Sequence, residues 1–239
     1  MTPTHRRRIA ALAACVIVLP FAGGAAAGEA VRYTLDPVHT RVMFAIEHAG
    51  FSKAIGTVSG STGSLVFDAE DWAGATLQAT VPMTRVDLGD AGWNKATLAG
   101  NLLDAEDHPT AEFVSTRIEA IAPGRASVYG TLTLRGVSRE IVLDVTLNAA
   151  KRHPLPPFRR TVGFSATAML SRKAFGIDAW PSVIGDAVEL RIEAEAIRSR
   201  TDDDNDRDPG APDTPAGASS SPKPANTGAA PKTTTEPAP

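Results

Sequence analysis

The sequence predicts an all-β protein whose antiparallel strands, about eight in number, close into a barrel interrupted by one short helix. The clearest strand, 188–196, carries apolar side chains at every second position, namely Val188, Leu190, Ile192, Ala194 and Ala196, with Glu189, Arg191, Glu193 and Glu195 between them. A second segment, 141–147, alternates more loosely in the same way. Because successive side chains of a strand point to opposite faces, such a sheet has one apolar side, which must pack on another layer or enclose a lumen. Alternation alone leaves a two-sheet sandwich open as the other arrangement.

Four strands are predicted in the first half of the domain, over residues 31–35, 40–48, 55–67 and 75–83. The third is rich in small residues, and its glycines predict bends in a strongly curved sheet: Gly56, Gly60 and Gly63. The alternation stops over 91–103, where Asp90 as the N-cap predicts a short helix.

Strands resume in the second half, over residues 112–121, 125–134, 141–147, 162–170 and 188–196. Gly136 marks a hairpin between the second and third of these. The prolines within 151–158 predict an exposed loop, and 175–181 is interpreted as a turn or a helical lid before the last strand.

The composition divides the chain into a signal peptide over 1–27, one domain over 28–199 and a tail over 200–239. The signal is predicted by three arginines, a short apolar run and a cluster of alanines, and it implies export. A lipobox-like run before Cys15 would instead give a lipid-anchored protein, which is less favoured because the apolar run continues beyond that residue. The tail is acidic and rich in proline, which predicts disorder.

Charge and cysteine content exclude several functional classes. The net charge of −3 and the isoelectric point near 6.0 give no reason to expect a nucleic-acid partner. Cys15 is the only cysteine and lies in the predicted signal, so the domain itself has no disulfide and no thiolate nucleophile.

Several short motifs occur in one order along the domain. They are the run from Tyr33 to Phe44 with Asp36 and His39, then His48 with Gly50, Phe51, Ser52 and Gly56, then His108 to Phe113, Gly130 to Val137, and Arg172 with Phe175 and Gly176. This ordered set resembles the YceI-like family over roughly Val31 to Ile197. The chain departs from the family at 95–98, where Lys-Ala-Thr-Leu replaces an Arg-Asp-x-His-Leu run, and at His108, where tyrosine is common.

The resemblance implies a lipocalin-like barrel in the periplasm that holds a long polyisoprenoid chain in its lumen. Alternation selects ten residues expected to face that lumen and the ligand: Val42, Phe44, Ile46, His48, Phe113, Leu132, Leu143, Phe164, Leu190 and Ile192. His48 is expected either to donate a hydrogen bond to a quinone carbonyl or a diphosphate, or to be a partly buried histidine satisfied by backbone.

No catalytic residue, cofactor or metal is predicted. Asp36 and His39 are expected to brace the turn that follows the first strand. A metal site built from them with Glu47 and His48 is disfavoured, because adjacent residues on a strand face opposite sides.

The sequence therefore predicts an exported soluble carrier or store of an isoprenoid quinone or polyprenyl diphosphate. The alternative is an enzyme or a quinone-linked redox accessory protein that uses the lumen as its site. An outer-membrane barrel is disfavoured by the charged outer face of strand 188–196. Transient contact with a membrane surface is expected through basic residues near the proline-rich loop: Lys151, Arg152, Arg159 and Arg160. Formation of a homodimer is left open.

Overall fold

The structure, a computed structural model, describes residues 30–200; the predicted signal peptide and the tail after Arg200 lie outside the described residues. The strands are β1 (Val31–Leu35), β2 (Arg41–His48), β3 (Ser52–Ser59), β4 (Thr62–Phe67), β5 (Thr76–Pro82), β6 (Val86–Asp87), β7 (Thr110–Ala122), β8 (Arg125–Leu134), β9 (Val137–Arg152), β10 (Arg160–Ser171) and β11 (Ile184–Arg198). The helix α1 spans Ala91–Leu98, and 3-10 turns occur at Met83–Arg85 and Lys173–Phe175.

These strands form a closed antiparallel barrel with eight positions around it, which we call rows. Five rows are single strands. The other three each consist of two consecutive strands, because β2 continues β1, β4 continues β3 and β6 continues β5 along the chain. The barrel closes at β11, which pairs with β10 on one side and with both β1 and β2 on the other. Closure confirms the predicted barrel and rules out the two-sheet sandwich.

The breaks within rows have local causes. Gly60 adopts a φ of 81° between β3 and β4, a left-handed conformation that glycine reaches without steric cost. The Asp36 carboxylate accepts the backbone N–H of Val38 at 2.8 Å, which makes the turn between β1 and β2. The bend predicted at Gly60 is therefore present, whereas Gly56 and Gly63 lie inside strands.

Several predicted boundaries were wrong. The strand predicted over 141–147 extends over the whole of β9, so Lys151 and Arg152 belong to a strand and not to the proline-rich loop. The last strand likewise begins at Ile184, because pairing with β2 and β10 extends its ladder past the alternating segment. The helix ends at Leu98 instead of reaching residue 103. Turns follow it, in which the Leu103 N–H donates a hydrogen bond to the Thr97 carbonyl. The two-residue strand β6 was not predicted.

Two predictions about where elements begin and end were confirmed, the N-cap of α1 and the hairpin turn at Gly136. The Asp90 carboxylate accepts the Trp93 N–H at 2.9 Å, as an N-cap does. Arg135 and Gly136 both have positive φ, 50° and 71°, which is the backbone of a type I′ hairpin between β8 and β9.

The barrel has two ends that differ in their connections. The upper end carries the connections 49–51, 88–109, 135–136 and 172–183, and the lower end carries 68–75, 123–124 and 153–159. The barrel interior holds the largest cluster of buried apolar residues, which includes Phe67, Trp72, Phe113 and Val162. Within residues 30–200, no helix is both long and apolar enough to cross a bilayer.

Candidate functional site: an apolar lumen

The interior of the barrel contains a cavity of about 450 Å³. All ten residues that the sequence placed on the lumen line this cavity: Val42, Phe44, Ile46, His48, Phe113, Leu132, Leu143, Phe164, Leu190 and Ile192. The prediction that they bind a ligand stays a prediction. Most of the lining side chains are apolar, and the polar ones are Thr40, Glu47, His48, Ser61, Thr97 and Arg172.

One wall of the lumen shows that this space is a cavity and not filled core. Val42 and Ile46 on β2 face Ile192 and Val188 on β11 across the barrel seam, yet all four are only half-buried. Apolar residues in a packed interior are normally covered by other side chains. Here the surface that they leave uncovered faces the cavity and is available to an apolar ligand.

The lower end of the lumen is closed by an aromatic cluster. The ring centroids of Phe67 and Trp72 lie 5.2 Å apart, those of Phe67 and Phe164 5.3 Å apart, and all three rings meet edge to face. Phe67 and Trp72 are buried, and the Trp72 indole N–H donates to the Ala69 carbonyl at 3.2 Å. Edge-to-face contacts of this kind stabilise the packing of aromatic rings. The three rings therefore close the lower end of the lumen and form its floor.

The upper end provides the opening. Glu47, Trp93 and Ala96 line the cavity and are also exposed to solvent. At the floor, by contrast, the lining residues Phe67 and Trp72 are buried. The His48 ring lies against the Trp93 ring at a centroid distance of 5.4 Å. Helix α1 places Ala96 and Thr97 on the cavity wall, so it presents little charge to the mouth.

Two aromatic rings of the wall are fixed by glycines on neighbouring strands. A Cβ added at Gly56 would lie 2.3 Å from Phe44 Cζ, and one added at Gly130 would lie 2.4 Å from Phe113 Cζ. Each ring therefore packs against the glycine of the next strand, where any larger residue would displace it. This packing explains Gly56, which the sequence predicted only as a bend, and Gly130.

Arg172 organises the loop beside the mouth, a role that the sequence analysis did not assign. Its guanidinium is buried and donates to four carbonyls, those of Ile177, Ala179, Ile184 and Gly185, at 2.7–2.8 Å. Ile177 and Ile184 line the lumen, so these bonds set part of its wall.

Arg135 supports the same end of the barrel. It donates to the carbonyls of Gly176 and Gly100, both at 2.7 Å. The β8–β9 hairpin is thereby tied to the connections on either side of the mouth. In the sequence, the role of Arg172 was signalled only by the Arg-x-x-Phe-Gly motif. The structure explains the rest of that motif, because Phe175 is buried at this end and Gly176 makes the left-handed turn that follows.

Two buried hydroxyls lie further inside and were also missed. Thr40 is 3% exposed and Ser61 2% exposed, and both line the cavity. They lie at the breaks of two adjacent rows, since Arg41 pairs with Ser59 beside them. Thr40 Oγ1 donates to the Glu195 carbonyl at 3.4 Å, while Ser61 Oγ has no hydrogen-bond partner among the described residues. The short run of small polar residues around Ser61 shows no alternation and gave no signal.

The pair Asp36 and His39 lies in the β1–β2 turn and does brace it. His39 Nδ1 is 2.8 Å from Asp36 Oδ2. Burial acts to raise the pKa of Asp36, but hydrogen bonds from the His39 ring and the turn N–H groups outweigh it and lower that pKa. The hydrogen bond to the carboxylate, followed by its charge, raises the pKa of His39. Among the described residues no cluster of three or more metal-ligating side chains occurs.

Comparison with known proteins agrees with this geometry. The YceI-like domain matches residues 33–196 of the sequence. The chain belongs to this family. Its relatives include the UPF0312 proteins of Ectopseudomonas mendocina, 32% identical over 79% of this chain and 97% of that protein, and of Serratia proteamaculans, 31% identical over 75% and 91%. The resemblance drawn from the motifs is thus confirmed.

Solved structures of YceI-like barrels share the fold. BcnA of Burkholderia cenocepacia has a TM-score of 0.61 at 22% identity, covering 67% of this chain and 98% of that one. A polyisoprenoid binding domain from Saccharophagus degradans, implicated in plant cell wall breakdown, has a TM-score of 0.54 at 15% identity, covering 71% and 99%. These likenesses confirm the barrel predicted from the sequence.

Proposed function

We propose that this YceI-like chain is an exported, soluble carrier or store of a long-chain isoprenoid lipid, either a quinone or a polyprenyl diphosphate. The observation that carries the proposal is the lumen, whose apolar wall is left uncovered and whose floor is closed by Phe67, Trp72 and Phe164. The polyisoprenoid binding domain from Saccharophagus degradans supports the proposal, because it shares this fold.

The lumen can bind such a chain without catalytic groups. Each methylene moved from water into an apolar site contributes roughly 0.8 kcal/mol, so two isoprene units with their ten carbons contribute roughly 8 kcal/mol. Part of this gain is offset by the lost freedom of protein and lipid. The surplus grows with the length of buried chain, which favours long ligands over short ones.

Loading from a membrane requires that the mouth meet the lipid surface. The rim of the upper end carries two large exposed side chains, Phe51 and Trp180, which are 91% and 59% exposed. The two segments that carry them are joined by a hydrogen bond from the Ala49 N–H to the Val183 carbonyl. Aromatic residues are favoured at membrane–water interfaces. The predicted basic cluster at 151–160 lies at the closed lower end, so we assign membrane contact to the upper rim.

Organic extraction of protein exported and purified without detergent, followed by mass spectrometry, tests the carrier role. The wild type should yield an isoprenoid lipid. Phe164→Asp should yield none, because an unpaired carboxylate in an apolar lumen is costly. Circular dichroism must show that this variant keeps its β-sheet. A wild-type extract without lipid, combined with no binding of an added prenylated quinone, would overturn the proposal.

Lipid transfer between vesicles tests the rim. Phe51→Ser with Trp180→Ser should slow transfer, while Leu155→Ser with Phe158→Ser should not. The second pair is a matched control, because these side chains are 63% and 51% exposed at the lower end. Slower transfer in the second pair alone would assign docking to the lower end instead.

Export to the periplasm is proposed on the predicted signal peptide. The intact mass of the exported protein should place its N-terminus near Gly28. A mass that includes a diacylated Cys15 would show a tethered lipoprotein and overturn the soluble form.

A further inference from the structure

The lower end of the barrel carries a group of basic residues for which the lumen has no use. Arg152 on β9 pairs with Arg160 on β10. Continuing the β10–β11 register by one residue places Arg198 opposite Arg160, and Tyr33 on β1 pairs with Arg198 in turn. Four neighbouring strands therefore bring three guanidinium groups and one phenol to one level of the barrel. We call these four residues the underside cluster.

The underside cluster lies on the inner face of the sheet and is open to solvent. Val162 and Ala196, each two residues before or after a cluster arginine on the same strand, are 1% and 0% exposed in the barrel interior. Side chains two residues apart on a strand share a face. Arg152 and Arg160 are exposed and Arg198 is half-buried, so a ligand in solution can reach them. No member of the cluster lines the lumen cavity.

The charges of the cluster act on one another. Burial raises the pKa of Tyr33, while the positive charges of Arg198 and Arg160 act to lower it, which places both guanidinium groups near the phenol. Asp68 faces the same phenol and adds one negative charge. One carboxylate does not balance three guanidinium groups, and like charges directly opposite each other across a sheet are destabilising. An anion bound among them would offset this cost.

The geometry of the cluster selects the kind of anion. Side chains on the inner face of a closed barrel converge toward its axis, whereas those on the outer face diverge. Converging guanidinium groups suit one compact anion with several acceptor oxygens better than an extended acidic chain. The planar fork of arginine donates two parallel hydrogen bonds to a phosphate, and three such groups match a dianion better than a single carboxylate. The Tyr33 hydroxyl adds a neutral donor beside them.

We infer that the underside cluster is a binding site for a phosphate group, at the end of the barrel opposite the mouth. The phosphate is either free in solution or part of a lipid head group, since both present the chemistry that the cluster recognises. The inference does not depend on the carrier function, because the cluster and the lumen share no residue.

Titration calorimetry of the full chain with inorganic phosphate tests the site, at an ionic strength held at about 0.15 M with sodium chloride. The wild type should bind one phosphate with a Kd on the order of 1 mM or lower. Arg160→Gln should weaken binding about tenfold or more, the effect of one lost hydrogen bond to an anion. Lys151→Gln is the matched control, because it removes the same charge next to Arg152 on β9 but from the outer face. An equal loss in both variants would reveal only the general charge of the lower end and would overturn the inference.

Two further readouts separate a binding role from a structural one. The chain has two tyrosines, so Tyr129→Phe leaves Tyr33 as its only phenol. In this variant the pKa of Tyr33, followed by ultraviolet absorbance, should rise when phosphate replaces chloride, because the bound anion offsets the arginine charges that favour the phenolate. In phosphate-free buffer Arg160→Gln should leave the free energy of unfolding unchanged or raise it, because like-charge repulsion is relieved. An unmoved pKa, or a less stable Arg160→Gln, would overturn the inference.

Other arms identify the source of the anion. Sedimentation with phosphatidylcholine vesicles that contain phosphatidylglycerol, lost in Arg160→Gln and kept in Lys151→Gln, would assign the site to a lipid head group. Phosphate binding without sedimentation would assign it to a soluble phosphate compound, and neither kind of binding would overturn the inference. The sequence continues after β11 with an acidic run: Asp202, Asp203, Asp204, Asp206 and Asp208. Phosphate binding that appears only when these residues are changed to asparagine would show that the cluster serves carboxylates of the chain, which also overturns the inference.

Discussion

Replacing Arg172 by methionine removes the clamp on the loop beside the mouth while keeping a long, unbranched side chain. The guanidinium of Arg172 donates to four carbonyls, and each bond contributes about 1 kcal/mol net. The free energy of unfolding should therefore fall by about 4 kcal/mol, a large part of the roughly 5–15 kcal/mol available to a domain. For a domain of this size the loss corresponds to a drop of roughly 10 °C in the thermal midpoint.

Urea unfolding followed by circular dichroism measures the change, with Arg191→Met as the control. Arg191 pairs with Glu193 on the exposed outer face, where an ion pair contributes little, so the control should change stability by under about 1 kcal/mol. Lysine at position 172 should recover only part of the loss, because three ammonium donors cannot reproduce the planar fork. A loss below about 1 kcal/mol in Arg172→Met would refute the reasoning and show that water or the backbone replaces the clamp.

Further outcomes follow from particular positions in the structure. Gly56→Ala should destabilise the barrel by about 1–3 kcal/mol in urea unfolding, because its Cβ would lie 2.3 Å from Phe44 Cζ. NMR titration should give His39 a pKa above 6.5 that falls on Asp36→Asn. The contact stabilises the fold in full between pH 3.8 and pH 6.5, and the stabilisation is lost as the pH rises through the raised pKa of His39. For Asp36 the lowered pKa means stabilisation above pH 3.8 that is lost as the pH falls through it. Ala79→Leu should reduce lipid capacity without lowering stability, as judged by lipid extraction and urea unfolding.

Alternation made the lumen predictable because it is a local property of a strand. Phe44 and Leu190 lie on strands far apart in sequence, yet each could be assigned to the inner face from its own neighbours, and the two are partners across β2 and β11. The barrel follows from the same pattern combined with the number of strands. These assignments needed no knowledge of which strands pair.

The residues that were missed depend on contacts between distant segments. Arg172 was visible only as part of a motif, because its four acceptors belong to a loop whose path no periodicity describes. Ser61 lies where two strands of one row meet, in a run without alternation, so nothing local showed that its hydroxyl is enclosed. The end of α1 and the length of β9 likewise depend on neighbours in the folded barrel.

Alternation cannot distinguish a lumen from a packed core, since both require apolar side chains on the inner face. The difference lies in side-chain volume, because an eight-stranded barrel is just wide enough to be filled by its own residues or to hold one ligand. Near the floor Phe67, Trp72 and Phe164 fill it, whereas small wall residues such as Ala79 leave space above. Leucine at position 79 should therefore enter free volume, while Ala126→Leu, at a fully buried residue that does not line the cavity, should lose about 1–3 kcal/mol by overpacking. Equal destabilisation by both substitutions would show that the interior is core throughout.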